Sequence, residues 1–397
     1  MTDWLLLLRA ARFRGFWLAL LLVNLGNWCV IAALPILVAE RFGAGMELVL
    51  SLGLRVLPKL LLAPLGSRLL SRFGAARVAA SAMLANAVLT AALPWCGSVV
   101  ALQAVIAVTG TLDLFVNPGL LALRGAVTPA GMEMAGNTLY SVADRAAKVV
   151  GPAIGGLAVV AGLRPAFAGF AVLIAMAAVP VLRLPDSVRG STERTDRLSL
   201  AGFVRLVRSD RQITGLLVAS TTYMVMLGGL RPFLFWANRD WYGASDSGWT
   251  GLLTAQGAGA LIGAIAAGLF VQRLTRAMSA FMLSMVTGVL EGLAHLLLLF
   301  AATSAQAIAI LALAGIPEVI SAAAWFTAIQ VRLPSPQQGG FYTFAAPLWD
   351  ASFALGIASA GLHAAGVLSL SGYWALVSLT ATLPLLPLMV TRRTGTG

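Results

Sequence analysis

The 397-residue chain is 59% hydrophobic and only 11% charged, with a mean hydropathy of +0.89. An ordinary soluble domain carries about 25% charged residues, so this composition excludes a soluble globular protein and predicts one dissolved in lipid. Basic residues outnumber acidic ones by 27 to 15, and their placement, set out below, assigns the excess to a membrane rather than to nucleic acid.

Cutting the chain at charged and turn-rich breaks leaves twelve apolar windows, each near the ~20 residues of helix that cross a bilayer. The first six cover 16–39, 48–70, 76–96, 98–122, 138–162 and 164–184. The second six cover 212–237, 247–271, 277–302, 305–331, 339–366 and 368–391. The apolar run after Arg14 continues to Val38. It is too long for a signal-peptide core and is expected to stay in the membrane. Midway lies the longest polar segment, 185–211, with Arg189, Arg194, Arg197, Arg205, Arg208 and Arg211. Its second half, LSLAGFVRLVR, sets apolar against basic positions at helical spacing, which predicts a helix along the membrane surface. The expected organisation is an N-terminal six-helix bundle (1–184), a cytoplasmic basic linker (185–211) and a C-terminal six-helix bundle (212–397). Cys29 and Cys96 sit alone in apolar stretches, so no disulfide framework is expected.

The basic residues set the orientation. With the N-terminus inside, nineteen face the cytoplasm, from Arg9, Arg12 and Arg14 to Arg392 and Arg393. Three, Arg41, Arg164 and Arg239, fall in outer loops. This asymmetry puts both termini in the cytoplasm. The remaining five, Arg55, Lys59, Arg145, Lys148 and Arg231, lie at membrane depth with five acids, Asp113, Asp144, Glu291, Glu318 and Asp350. Equal numbers predict mutual neutralisation, since a charge at the centre of a spanning helix costs roughly 2.5–3.5 kcal/mol. Shifting the sequence by 201 residues lays Arg72 on Arg273, Ser67 on Gly268, Arg55 on Gln256 and Asn117 on Glu318, a weak repeat that fits a duplicated half.

Four stretches resemble one family. These are FWLALLLVNLGNWCVIAALPILVAERFG, LRVLPKLLLAPLGSRLLSRFGAARV, LFVNPGLLALRGAV and AGNTLYSVADRAAKVVGPAIGG. They are similar to the first, second, fourth and fifth helices of major facilitator superfamily transporters. The nearest branch is the drug:proton antiporters that hold macrolide efflux proteins and the enterobactin exporter. The most specific signal is GPxxGG, here Gly151, Pro152, Gly155 and Gly156, which resembles the antiporter motif. The resemblance implies an all-α membrane protein of twelve helices in two pseudo-symmetric bundles. It also implies a central cavity open to one side at a time, and export driven by protons. Two positions depart from the family. In the loop after the second helix Arg72 and Gly74 remain, but the usual acid is Ser71. In the first helix the branch's Gly-Asp is Gly26-Asn27, and asparagine cannot titrate.

Arg55 and Lys59 are four apart and share a helix face. They read equally well as a basic wall for an anionic or zwitterionic substrate and as partners of acids in the same half. Asp113 and Asn117 form a second same-face pair, on the helix that lines the cavity in this family. Asp113 is the favoured proton carrier, against the alternative of a fixed ion pair with Arg55, Lys59 or Lys148. Asp144 and Lys148, also four apart, are expected to satisfy each other, leaving Arg145 to find another partner. Glu318 and Asp350 are further proton-coupling candidates, with Arg231 the only base at depth in their half. Salt bridges between the halves, made in one state and broken in the other, are the expected use of this imbalance. Asn27, Arg55, Lys59, Asn117, Arg145, Lys148 and Arg231 make up the expected substrate cavity. Glu291 and His295 are expected to hydrogen-bond each other. Phe233, Phe235, Trp236, Trp241, Tyr242 and Trp249 are expected to anchor at the membrane interface, and Met224 and Met226 to pack.

Enzyme chemistry finds no foothold. The two lysines follow Pro58 and Ala147, so no Walker A Gly-Lys exists; no Gly-x-Ser-x-Gly occurs; and two histidines and two cysteines, mutually distant, make no metal set. No cofactor or metal is expected. The sequence therefore reads as a monomeric, proton-coupled exporter in the inner membrane, with a small amphiphilic cargo tilted toward anions such as a siderophore or an acidic antibiotic. Its partners are that small molecule, protons and membrane lipid. The alternatives are a proton-coupled importer of an anionic solute and a non-coupled lipid-handling or remnant protein.

Overall fold

The computed structural model describes residues 3–129, 132–184 and 199–389. In hydrocarbon a backbone amide has no water to bond, so a spanning segment must close its hydrogen bonds on itself. Accordingly, among the described residues every regular element is helical. The first are α1 (Asp3–Arg9), α2 (Ala11–Phe42), α3 (Met46–Leu54), α4 (Leu57–Phe73), α5 (Ala75–Ala92), α6 (Val99–Val127), α7 (Glu133–Val160) and α8 (Leu163–Leu182). There follow α9 (Leu200–Ser209), α10 (Arg211–Trp236), α11 (Trp249–Ala277), α12 (Ala280–Leu296), α13 (Ser304–Arg332), α14 (Ser335–Ser359), α15 (Gly361–Ala364), α16 (Leu370–Thr382) and α17 (Leu386–Met389). Helix underlies all twelve predicted windows. Among the described residues nine helical stretches are long and apolar enough to cross a membrane.

The second window is not one helix. It divides into α3 and α4 around Arg55 and Val56. Pro58 explains the break: it has no N–H to donate, and its ring clashes with the carbonyl one turn back. The amide of Val56 turns instead to Gly53 O at 2.9 Å, and that of Lys59 to Val56 O at 3.0 Å. A hydropathy window averages over Pro58 and does not register the break.

The chain forms two compact units, Met1–Thr192 with Ser245–Thr254, and Glu193–Ala244 with Ala255–Gly397. In the first, α2 packs on α7 and α8, and α5 packs on α6 and α8. In the second, α10 packs on α14 and α16, and α12 packs on α13 and α16. The neighbour relations of one unit thus recur in the other, helix for helix, as a duplicated half requires. The first unit's core gathers Phe13, Phe16, Leu20, Met83 and Ile174. The second's gathers Phe203, Met285, Trp325 and Phe341.

The predicted surface helix is α9. Phe203 points into the bundle, 5.7 Å from Phe341 and 5.4 Å from Phe344, while Arg205 and Arg208 are exposed. Residues 185–198 of the predicted linker, with Arg189, Arg194 and Arg197, lie outside the described residues. Interfacial anchoring fails for four aromatics: Phe233, Phe235, Trp236 and Trp249 are buried in protein. Phe233 stacks on Trp374 at 4.2 Å, and Trp236 meets His363 edge-on at 4.7 Å. Trp249 belongs to the first unit and donates its indole N–H to Ala32 O at 3.1 Å. Rings with protein on every side contribute packing area and a specific geometry.

Candidate functional site

The break in the second window sets the site. Arg55 stands at the end of α3 and Lys59 in the first turn of α4, so both basic groups flank the turn that Pro58 imposes. On α6, Gly110 abuts the backbone of Arg55; a Cβ there would strike the Arg55 carbonyl. Only glycine permits that approach, and it brings Asp113, one turn further along α6, to the two bases. Lys59 Nζ lies 3.3 Å from Asp113 Oδ2 and Arg55 Nη2 lies 4.0 Å from the same oxygen. The other oxygen, Oδ1, accepts from Asn86 Nδ2 at 3.3 Å, and Asn86 Oδ1 accepts from Thr90 at 3.4 Å. Asp113 is 6% exposed.

Two cations and one acid leave this cluster with a net charge of +1 at membrane depth. A buried charge is tolerated when paired and hydrogen-bonded, and Asp113 meets that condition. Arg55 and Lys59 share one carboxylate, so their summed charge exceeds what it can neutralise. Sequence reasoning missed Asn86 and Thr90. The only signal was a polar i,i+4 pair inside apolar α5, which carries no charge to draw attention.

Other expected site residues are distributed more widely. Asn117 is exposed one turn beyond Asp113 and does not join the cluster. Asn27 is half-buried on α2. On α7, Asp144 accepts from Asn24 of α2 at 3.5 Å, with Arg145 and Lys148 close enough to act on its charge. In the second unit Glu318 of α13 is buried and accepts from Gln256 Nε2 of α11 at 3.2 Å. Asp350 of α14 is exposed, and the Arg231 guanidinium stands 5.3 Å from the Phe353 ring centroid. His295 Nδ1 pairs with the Glu291 backbone oxygen at 3.0 Å.

The GPxxGG segment is a packing surface. Pro152 lacks an N–H, and the Gly151 carbonyl accepts from Cys29 Sγ of α2 at 3.3 Å. A Cβ at Gly155 would lie 2.9 Å from Cys29 O, and one at Gly151 would strike Trp28. Small residues here let α7 and α2 touch backbone to backbone, as helices without a hydrophobic driving force between them require. Gly156 abuts Thr250, also in the first unit. In the loop after α4, Gly74 takes φ +89°. Arg72 is exposed, with its guanidinium 5.2 Å from the Phe73 ring. The Ser71 side chain lies outside the described residues.

Long apolar helices in two units, with charged side chains among them, define a polytopic membrane protein. The chain belongs to the Major Facilitator Superfamily, whose model matches residues 16–357. It is a secondary transporter rather than an enzyme. No curated protein matches the sequence. Among solved structures it is similar to a POT family transporter in complex with a thioalcohol-conjugated peptide (TM-score 0.77, 11% identity, 95% of each chain covered). It is also similar to a bacterial homologue of the human lysosomal transporter Spinster in an inward-facing, unoccupied conformation (TM-score 0.69, 13% identity, 96% of each chain). A third is the nucleoside transporter NupG (TM-score 0.72, 12% identity, 96% of this chain and 100% of that one). At such identities the likeness speaks for the fold.

Proposed function

We propose that this protein is a proton-coupled transporter of a small amphiphilic anion, which it binds at Arg55 and Lys59. The observation that carries this reading is the cluster of two cations on one buried carboxylate. An incoming carboxylate or sulfonate supplies the negative charge the cluster lacks. It lies in the cell's inner membrane as a monomer, with both termini cytoplasmic, in keeping with the excess of arginine on that side.

Asp113 carries the proton, and linkage gives the coupling a sign. An anion that takes Arg55 and Lys59 for itself removes the partners that keep Asp113 ionised. The acid then gains affinity for a proton, so anion and proton bind together. Co-binding is the requirement of symport, which makes import of the anion the direction this geometry supports best. A second reading is export by antiport, favoured by the GPxxGG segment. Since Asp113 has the wrong sign for it, export would place the exchanged proton on Glu318 or Asp350.

Weakly buffered protein titrated with naphthalene-2-sulfonate separates these readings. Proton uptake on binding, lost in Asp113→Asn, is the expected result. Proton release retained in Asp113→Asn would replace symport by antiport. No binding, or binding unchanged in a Lys59→Ala, Arg55→Ala variant, would remove the anion site altogether.

A further inference from the structure

The two oxygens of Asp113 face different partners. Oδ2 faces the bases, with Lys59 Nζ at 3.3 Å and Arg55 Nη2 at 4.0 Å. Oδ1 faces α5, where Asn86 Nδ2 donates to it at 3.3 Å. The hydroxyl of Thr90, one turn further along α5, donates to Asn86 Oδ1 at 3.4 Å. Asn86 and Thr90 are 3% and 1% exposed. Both ends of the amide are thus engaged inside the protein, as a buried polar group requires. The charges beside Asp113 come from the α3–α4 turn. On α5 the one charged residue, Arg77, stands nine residues before Asn86, near the start of the helix.

The amide between Thr90 and Asp113 has a direction. An ionised carboxylate accepts hydrogen bonds and donates none, so the N–H end of Asn86 faces Oδ1 and its carbonyl end faces Thr90. A proton placed on Oδ1 would set an O–H donor against an N–H donor, unless the amide turned over and broke its bond from Thr90. A proton placed on Oδ2 disturbs nothing on the α5 side. Oδ1 then becomes a carbonyl oxygen and keeps its bond from Asn86. Oδ2 is also the oxygen that the bases hold, so proton and bases compete for one atom.

We infer that Asn86, held by Thr90, is a positioning residue that confines the proton on Asp113 to Oδ2, the oxygen shared with Arg55 and Lys59. This role rests on Asp113 being the proton carrier. The step is an exchange: a proton from water bonds to Oδ2 as the contacts of Lys59 Nζ and Arg55 Nη2 with that oxygen break. Both bases stay charged and turn to the incoming anion. Were Oδ1 open to the proton, Asp113 would protonate with its bases still in place. The proton affinity of the empty site would rise, and the difference that the anion makes to it would shrink.

Infrared difference spectra of the full-length protein in lipid nanodiscs, with and without naphthalene-2-sulfonate, test this. Binding to the wild type should raise a protonated-carboxyl C=O band that is missing in Asp113→Asn. In Asn86→Leu the band should move to higher frequency, because the carbonyl oxygen, Oδ1, has lost its donor. A band unmoved in Asn86→Leu would put the proton on Oδ1 and overturn the assignment. The Thr90 side chain bonds to Asn86 and not to Asp113, so it separates positioning from direct contact. Thr90→Val, which keeps the shape and removes the hydroxyl, should at least halve the protons taken up per anion bound. Thr90→Ser should restore them. Should Asn86→Leu not be recovered folded, the Thr90 variants decide the matter. Wild-type protein that takes up no proton would remove Asp113 as the carrier, and this role with it. Uptake present in the wild type and undiminished in Thr90→Val would sink the role of Asn86 alone.

Discussion

Lys59 Nζ and Arg55 Nη2 converge on one oxygen of Asp113, Oδ2, at 3.3 and 4.0 Å. The two bases repel each other, and Asp113 holds them together. Removing the acid should therefore cost more than removing either base.

Asp113→Asn should lower stability by roughly 3 kcal/mol, the lower end for breaking a buried pair, because Lys59 is about a quarter exposed. The double variant Asp113→Asn, Lys59→Met keeps the net charge of +1 and should recover at least half of that loss. Thermal melting of the purified single and double variants measures both. A double variant no more stable than Asp113→Asn would show that repulsion between the bases is not what Asp113 relieves.

Pro58→Ala should act in the opposite sense. It lets α3 and α4 join through Arg55 and Val56, since alanine restores the missing donor and removes the ring clash. Melting temperature should hold or rise, while anion affinity falls at least tenfold as Lys59 turns away from Asp113. Loss of both together would mean that the break has no role beyond folding.

Much of this was legible in the sequence. Each of the nine long apolar helical stretches among the described residues falls on a predicted window, whereas the i,i+4 reading of Arg55 and Lys59 assumed one helix where the structure has two. Pro58 stood one residue before Lys59, but hydropathy averages over a break and hid it. The partner choice of Asp113 was not legible. It depends on Gly110 bringing α6 against the α3–α4 turn, a contact between helices some fifty residues apart. The aromatics from Phe233 to Trp249 misled because composition alone cannot tell a ring at the lipid boundary from one under another helix.

Gly155→Leu should separate α2 from α7. Its side chain would meet Cys29 O and Cys29 Cα, already 2.9 and 3.1 Å from a bare Cβ. Overpacking of this kind costs about 1–3 kcal/mol. Cys29 is buried in the native protein, so its reaction with a maleimide should be slow in the wild type and at least tenfold faster in Gly155→Leu. An unchanged rate would mean that the two helices do not depend on this contact.

At the start of α10, Asp210 caps the helix through the amides of Gln212 and Ile213, and accepts from Arg332 Nε at 2.6 Å. Partial burial opposes ionisation, but the Arg332 bond and the two amides outweigh it and hold the carboxyl below its ordinary value of 3.8. A carboxyl lowered in the folded state adds stability above its unfolded value, and that stability is lost as pH falls through the folded one. Asp210→Asn should therefore melt below wild type by a constant margin from pH 5 to 8, with the margin closing as pH drops below about 4. A margin that persists in acid would assign it to packing instead of charge.

The coupling at Asp113 is tested most directly in proteoliposomes loaded at neutral pH and placed in an acidic medium with labelled naphthalene-2-sulfonate. Wild-type protein should accumulate the anion above its outside concentration, a protonophore should collapse the gradient, and Asp113→Asn should only equilibrate it. Accumulation that runs against the inward flow of protons, or that proceeds equally well in Asp113→Asn, would contradict co-transport at this cluster.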